Sequence, residues 1–336
     1  MFRIPKPDKP AWPGPVEGGI TQSLINLYLD CPFRFYIYTV LGLEDPENIN
    51  PNLIYGSIAH RGLEHIIPHQ VPVKDFSPED KKELLDVLLQ YTNDHYPSAP
   101  ASFPYSACEM CMLYDDEFKL EDNFQTEVKF EIPYTTPSGS KVTLRGKVDG
   151  LGSSKIVEHK FVGFNDPMKS RLETPIDLQV NLYMYVTGTE ECIYDKIKIP
   201  DTNNWAPARR QMERPAKWVE RLFHEHHYKE YPIARNKHLW LDQFRFFRFE
   251  EQKQEYINYI VNPLLDNICD YWEYVTSPSF DPNDPKCYNH LFWVKPIRTF
   301  DASRTEKYKC NYYNFLAGEM ALDDLRPTTF YAELIE

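Results

Sequence analysis

The stretch that most constrains the fold is residues 144–161, LRGKVDGLGSSKIVEHKF, two short alternating runs separated by a Gly/Ser turn. Successive side chains on a strand point to opposite faces, so Glu158 and Lys160 share one face of the second run. His159 faces the other way, with Val157 and Phe161. Asp149 ends the first run, and Val148, Leu151, Ile156 and Val157 make both runs apolar enough to enter a core. Charges carried into a core are costly unless a metal or a partner satisfies them. Asp-Gly turns and E-x-K pairs also occur on solvated hairpins, but the apolar flanks favour a site.

Two carboxylates and an amine on neighbouring strands suit one class of chemistry. Carboxylates hold one or two Mg²⁺ ions, which prefer oxygen ligands. A lysine beside them can orient an attacking water and share the charge that develops in the transition state. The hairpin is therefore a candidate centre for phosphodiester hydrolysis, with Asp149 and Glu158 as metal ligands and Lys160 as the catalytic amine.

The chain around it alternates helical and extended patterns. Residues 1–19 hold five prolines and read as an extended arm. Thr21 or Ser23 caps a helical stretch, SLINLYLDCPFRFYIYTVLGL, broken near Pro32 and ending at Gly42. A second helix, YGSIAHRGLEHII, takes Ser57 as its expected cap and carries His60 and Glu64 on one face. A third begins at Ser77-Pro78-Glu79-Asp80 and runs to about His95, and an acidic helical stretch follows around 107–121. From Thr126 the period becomes two: EVKFEIPY, a Pro137-Ser138-Gly139 turn, KVTLRGKVDG and then KIVEHKFV. A helix start at Thr174-Pro175-Ile176-Asp177 leads into a helix with Gln179 and Tyr183 one turn apart, and ECIYDKIKIP is a further strand. Residues 217–274 read as mostly helical with an extended FRFFRFE interruption, and 277–285 as loop. This order implies an α/β fold, a mixed central sheet flanked by helices with additional helical walls.

Taken together these blocks resemble the RecB-like branch of the PD-(D/E)XK nuclease superfamily, which includes AddB-type and CRISPR-associated exonucleases. The resemblance rests on SLINLYLDCPFRFYIYTVLGL, GSIAHRGLEHI, LRGKVDGLG, IVEHKF and LQVNLYMYV, in that order, over about residues 20–190. It implies a restriction-endonuclease-like sheet and a single nuclease domain over 20–336, with its catalytic core at about 126–200 and helical segments at 20–125 and 200–336. His60 would be the first-motif histidine, Asp149 the metal-binding aspartate, Glu158 and Lys160 the E-x-K pair, and Gln179 and Tyr183 the Q-x-x-x-Y motif. Metal would be Mg²⁺ or Mn²⁺, held by His60, Asp149 and Glu158; a histidine ligand favours acceptance of Mn²⁺.

Many such nucleases also carry a [4Fe–4S] cluster on one N-terminal and three C-terminal cysteines. Here Cys31 matches the first position and Cys310 the second, but Tyr313 occupies the third and no cysteine follows. Cluster ligation generally takes four thiolates, so Cys31 and Cys310 read as relics, with Cys287, well upstream of Cys310, left as the one candidate substitute. Cys108 and Cys111 form a C-x-x-C without a second pair, which argues against zinc. His224-Glu225-His226-His227 lacks the H-E-x-x-H spacing and reads as helix surface.

The expected activity is a metal-dependent deoxyribonuclease, an exonuclease acting on single strands or DNA ends in recombination, repair or phage DNA processing. A non-catalytic DNA-binding or scaffolding subunit that retains the fold is the competing reading, and the intact Asp149, Glu158 and Lys160 oppose it. No P-loop is present, so a helicase or recombination partner would be a separate protein. A net charge of −13 leaves DNA contact to a local cleft and bound metal. Lys169, Arg171, Arg209, Arg210 and Arg214 are candidate phosphate contacts or ordinary surface charge, and spacing does not separate the two. No long apolar run suggests a membrane span and no apolar leader opens the chain. Seven unpatterned cysteines fit a reducing, cytoplasmic setting.

Overall fold

The structure, a computed structural model, describes residues 4–44, 51–67, 77–117, 125–163, 176–199, 217, 221, 240–284 and 326–327. By its internal contacts the chain divides into two compact units. One comprises Met1–Asn48, Phe130–Gly146 and Glu255–Glu336; the other comprises Ile49–Lys129 and Lys147–Gln254.

In the first unit, helix α1 (Gln22–Asp30) is capped by Thr21, whose hydroxyl accepts the Leu24 amide at 3.2 Å. The break expected at Pro32 falls there. Cys31 is extended and Pro32 opens α2 (Pro32–Tyr36), where proline needs no amide partner. A π-helical turn at Ile37–Leu41 follows, and Gly42, at φ 65°, turns the chain into the short strand β1 (Leu43–Glu44). Only glycine takes that left-handed backbone without strain. The proline-rich segment packs closely rather than running free. Trp12 is fully buried, edge-on to Phe35 at 5.9 Å and to Trp272 at 4.8 Å. Trp272 lies on α8 (Asn262–Thr276), which follows a second π-helical turn at Ile257–Val261. Aromatic burial of this size outweighs the extended preference of the prolines.

The second unit holds α3 (Pro51–Ile66), α4 (Pro78–His95) and α5 (Phe103–Glu117). Ser77 and Asp80 cap α4 reciprocally, Asp80 N–H to Ser77 Oγ at 3.1 Å and Ser77 N–H to Asp80 Oδ2 at 3.0 Å. Ser57 is not the cap expected for α3. The helix begins six residues earlier at Pro51, and the Ser57 hydroxyl donates back to the Leu53 carbonyl at 3.1 Å.

The sheet is five-stranded and mixed, in the order β2 (Gln125–Thr135), β3 (Lys141–Leu151), β4 (Lys155–Val162), β5 (Glu191–Lys198), β6 (Leu241–Phe247). This is the restriction-endonuclease-like α/β fold expected from the sequence. β4 and β5 run parallel over their whole length, joined through α6 (Leu178–Thr187), the crossover that parallel strands require. Asp177 caps α6 by accepting the Val180 amide at 3.0 Å. β3 and β4, in contrast, pair only at Gly150–Val157 and Leu151–Ile156. Beyond Gly150 they part. The FRFFRFE run lies in β6 and its C-terminal flank, followed by α7 (Glu250–Tyr256). β1 pairs with β7 (Arg326–Pro327).

α3, α4 and α5 pack around Ala59, Leu63, Leu88, Cys108 and Cys111. The C-x-x-C thiols are buried within this helix packing, and Cys111 Sγ lies 3.4 Å from the Ala59 carbonyl. Gly62 permits the approach, since a Cβ there would meet Cys111 Sγ at 2.6 Å. Gly62→Ala is expected to destabilise the protein by about 1–3 kcal/mol through overpacking. Thermal denaturation of Gly62→Ala beside Gly62→Ala/Cys111→Ala checks this, with the double variant recovering part of the loss.

Candidate active site

The expected site residues of the second unit converge where β3 and β4 separate. His159 has lost its cross-strand partner there, and its amide donates instead to Asp149 Oδ2 at 2.7 Å. An unpaired buried amide is costly, so this bond fixes the aspartate between the strands. Asp149 Oδ1 lies 3.6 Å from His60 Nδ1, and Oδ2 lies 3.7 Å from His159 Nδ1. The His60 ring stands edge-on to Phe161 at 5.3 Å, which sets it over the same face of β4 as His159.

On the other face of β4, Glu158 is buried and its Oε2 accepts a 2.6 Å bond from Gln179 Nε2 of α6. Its Oε1 is buried with no hydrogen-bonding partner among the described residues. Burial pushes the Glu158 carboxyl well above its usual range; nearby Asp149 adds to this and Lys160 pulls it back. Lys160 is exposed beside it, as strand alternation requires. Tyr183, one turn beyond Gln179, is buried, and its hydroxyl is held above the usual phenol range by burial and by Glu158.

Several neighbours were not singled out in the sequence. Lys147, two residues before Asp149, pairs with Glu127 of β2. Burial alone would lower the Lys147 ammonium, but Glu127 and Asp149 more than offset it and hold it above its usual range. Behind His159, Nε2 lies 2.9 Å from the Tyr114 hydroxyl, which donates to Asp195 Oδ2 at 2.5 Å. Gln243 Nε2 donates to Asp195 Oδ1 at 2.9 Å. Burial lowers His159 to about 4, so its ring is neutral near pH 7, and burial raises Asp195 to about 6. Position 147 was readable as a same-face neighbour of Asp149; Tyr114 and Asp195 come from distant elements and left no local signal.

Glu64 does not join His60 at the centre. It pairs with Arg61 at 2.5 Å on the helix surface. Cys31 caps α2, its Sγ 3.5 Å from the Arg34 amide. Cys287, Cys310, Tyr313, Lys169, Arg171, Arg209, Arg210, Arg214, Thr174, Pro175 and the run 224–227 lie outside the described residues.

A sequence model of the PD-(D/E)XK nuclease superfamily matches residues 20–238, well over half of the chain, and includes His60, Asp149, Glu158, Lys160, Gln179 and Tyr183. The chain belongs to the PD-(D/E)XK nuclease superfamily. These enzymes are metal-dependent nucleases, hydrolases of phosphodiester bonds, and the His60–Asp149–His159 cluster is a candidate metal position in this member. One similar solved structure is titled "Crystal structure of SSO0001", at 14% identity over 52% of this chain and 83% of that one, with a TM-score of 0.23. No curated protein matches. No helix among the described residues is long and apolar enough to cross a membrane.

The donor set fits a divalent cation. Its gathered donors are His60, Asp149 and His159, with His60 Nδ1 3.6 Å from the Asp149 carboxylate; Glu158, the other expected ligand, is not in that gathered set and stands on the opposite face of β4. Because the folded state holds Glu158 above its ordinary 4.5, ionising it costs stability as pH rises through and above that value. Glu158→Gln is therefore expected to stabilise the metal-free protein by roughly 1–3 kcal/mol at neutral pH. That margin should shrink as pH falls toward 4.5, measured by denaturant unfolding in chelator.

Proposed function

We propose that this superfamily member is a DNA nuclease of the RecB-like kind, in which Asp149, Glu158 and His60 hold Mg²⁺ or Mn²⁺. The observation that carries the reading is Glu158. A buried carboxylate whose Oε1 has no hydrogen-bonding partner among the described residues, with the charge of Asp149 acting on it, is an arrangement a cation stabilises. When bound, the ion would supply Lewis-acid polarisation of the phosphate and a lower pKa for a coordinated water.

The chain's own groups divide the remaining tasks. Gln179, through its 2.6 Å bond, orients the Glu158 carboxylate. Lys160, exposed on the Glu158 face, is free to meet an incoming phosphate and to hold the attacking water in line. Tyr183 closes the α6 side of the site and keeps its proton, so it serves as packing and hydrogen-bond donor rather than base. Exonucleolytic action on single strands or DNA ends is the mode proposed, in recombination, repair or phage DNA processing, together with a separate helicase or recombination partner. A cytoplasmic setting and a single nuclease domain over 20–336, with a core at about 126–200, belong to the same reading.

The test is a panel of linear, circular, single- and double-stranded DNA, with free and blocked ends, in Mg²⁺ or Mn²⁺. Wild type should cut free-ended DNA, and Lys160→Ala should lower kcat about 10²–10³-fold with little change in metal affinity. If neither protein cuts any substrate, the chain is a non-catalytic DNA-binding or scaffolding subunit instead.

A further inference from the structure

His159 is the residue that the nuclease reading leaves without a task. It occupies the variable position between Glu158 and Lys160, yet its side chain is only 1% exposed and lies against the candidate metal centre. The ring is wired at one end. Tyr114 donates its hydroxyl proton to Asp195, so the same oxygen is left to accept a hydrogen bond, and the partner at 2.9 Å is His159 Nε2. Nε2 is thereby the protonated nitrogen and Nδ1 carries a bare lone pair.

Among the described residues that lone pair meets no donor within hydrogen-bonding distance. It faces Asp149 Oδ2 at 3.7 Å, beyond hydrogen-bonding distance, while His60 Nδ1 faces Asp149 Oδ1 at 3.6 Å. His60, His159 and Asp149 each offer one ligand atom, and these three atoms all lie within 4.8 Å of one another. A lone pair turned toward a carboxylate is repulsive in a dry interior unless a cation lies between them. Metal-bound histidines characteristically donate their second ring N–H to an oriented acceptor, the role Tyr114 fills here with Asp195 and Gln243 behind it.

We propose that the His159 ring is an inner ligand of the metal, a second imidazole beside His60 that joins the carboxylates of Asp149 and Glu158, with Tyr114 and Asp195 as positioning residues that hold its tautomer. Resting on the metal-dependent reading above, this specifies which ion the site takes. Nitrogen donors favour Mn²⁺ or another transition ion over Mg²⁺. The two sides of β4 then have different parts: His159 grips the ion from one, and Glu158 and Lys160 present the acid and amine from the other.

The test is pulsed electron paramagnetic resonance of Mn²⁺ bound to the whole chain, which counts coordinated imidazole nitrogens independently of cleavage. Wild type should show two couplings, and His159→Gln and His60→Gln one each. Tyr114→Phe leaves the ring in place and should keep both couplings while weakening Mn²⁺ binding about 10–100-fold. A single coupling in wild type that His60→Gln removes would overturn the proposal, as would absence of Mn²⁺ binding. The wild-type and Tyr114→Phe results decide the matter even if His159→Gln does not fold. Two couplings without DNA cleavage would instead defeat the nuclease reading and leave this assignment standing.

Discussion

The bond from the His159 amide to Asp149 Oδ2 is the interaction on which the site depends. Had β3 and β4 stayed paired past Gly150, the His159 amide would have met a backbone carbonyl, and Asp149 would have faced the Glu158 side of the sheet. Their separation exposes one amide, and the aspartate side chain replaces the lost ladder bond. That replacement turns a carboxylate into the plane between two faces. His60 comes within 3.6 Å of it from α3, while Glu158, held by Gln179, stands on the opposite face of β4. An incomplete pairing is thus the structural origin of the centre.

The energetic consequence is a site whose buried polar groups call for a cation. Glu158 is buried with one oxygen unpartnered among the described residues, and His159 turns a lone pair toward a carboxylate. Neither arrangement is what a core selected only for stability would hold, since a buried charge without a partner is replaced advantageously by apolar packing. Behind the centre, the Tyr114–Asp195–Gln243 chain holds the His159 ring in place. Such preorganisation lets a site spend little reorganisation on binding an ion or a transition state.

Much of this was legible in the sequence because period-two alternation is local. The strands around Asp149 and Glu158, the Ser77 cap and the Asp177 cap follow from residues within a few positions of each other. The misreadings share a cause, which is that a competing partner lay elsewhere. Ser57 has the chemistry of a cap, but Pro51 begins the helix and turns the serine into an interior residue. His159 was read as facing away with the apolar residues, and alternation does put it there; the unread fact was that His60, from a helix nearly a hundred residues earlier, covers that same face. Tyr114 and Asp195 carry no motif at all, and only the tertiary fold joins them to His159.

The most direct test of the central claim is anomalous diffraction from crystals soaked in Mn²⁺, recorded at the manganese edge. The account predicts a strong peak bonded to an Asp149 carboxylate oxygen and to His60 Nδ1. A protein that binds Mn²⁺ elsewhere, with no anomalous density within bonding distance of Asp149, would contradict it.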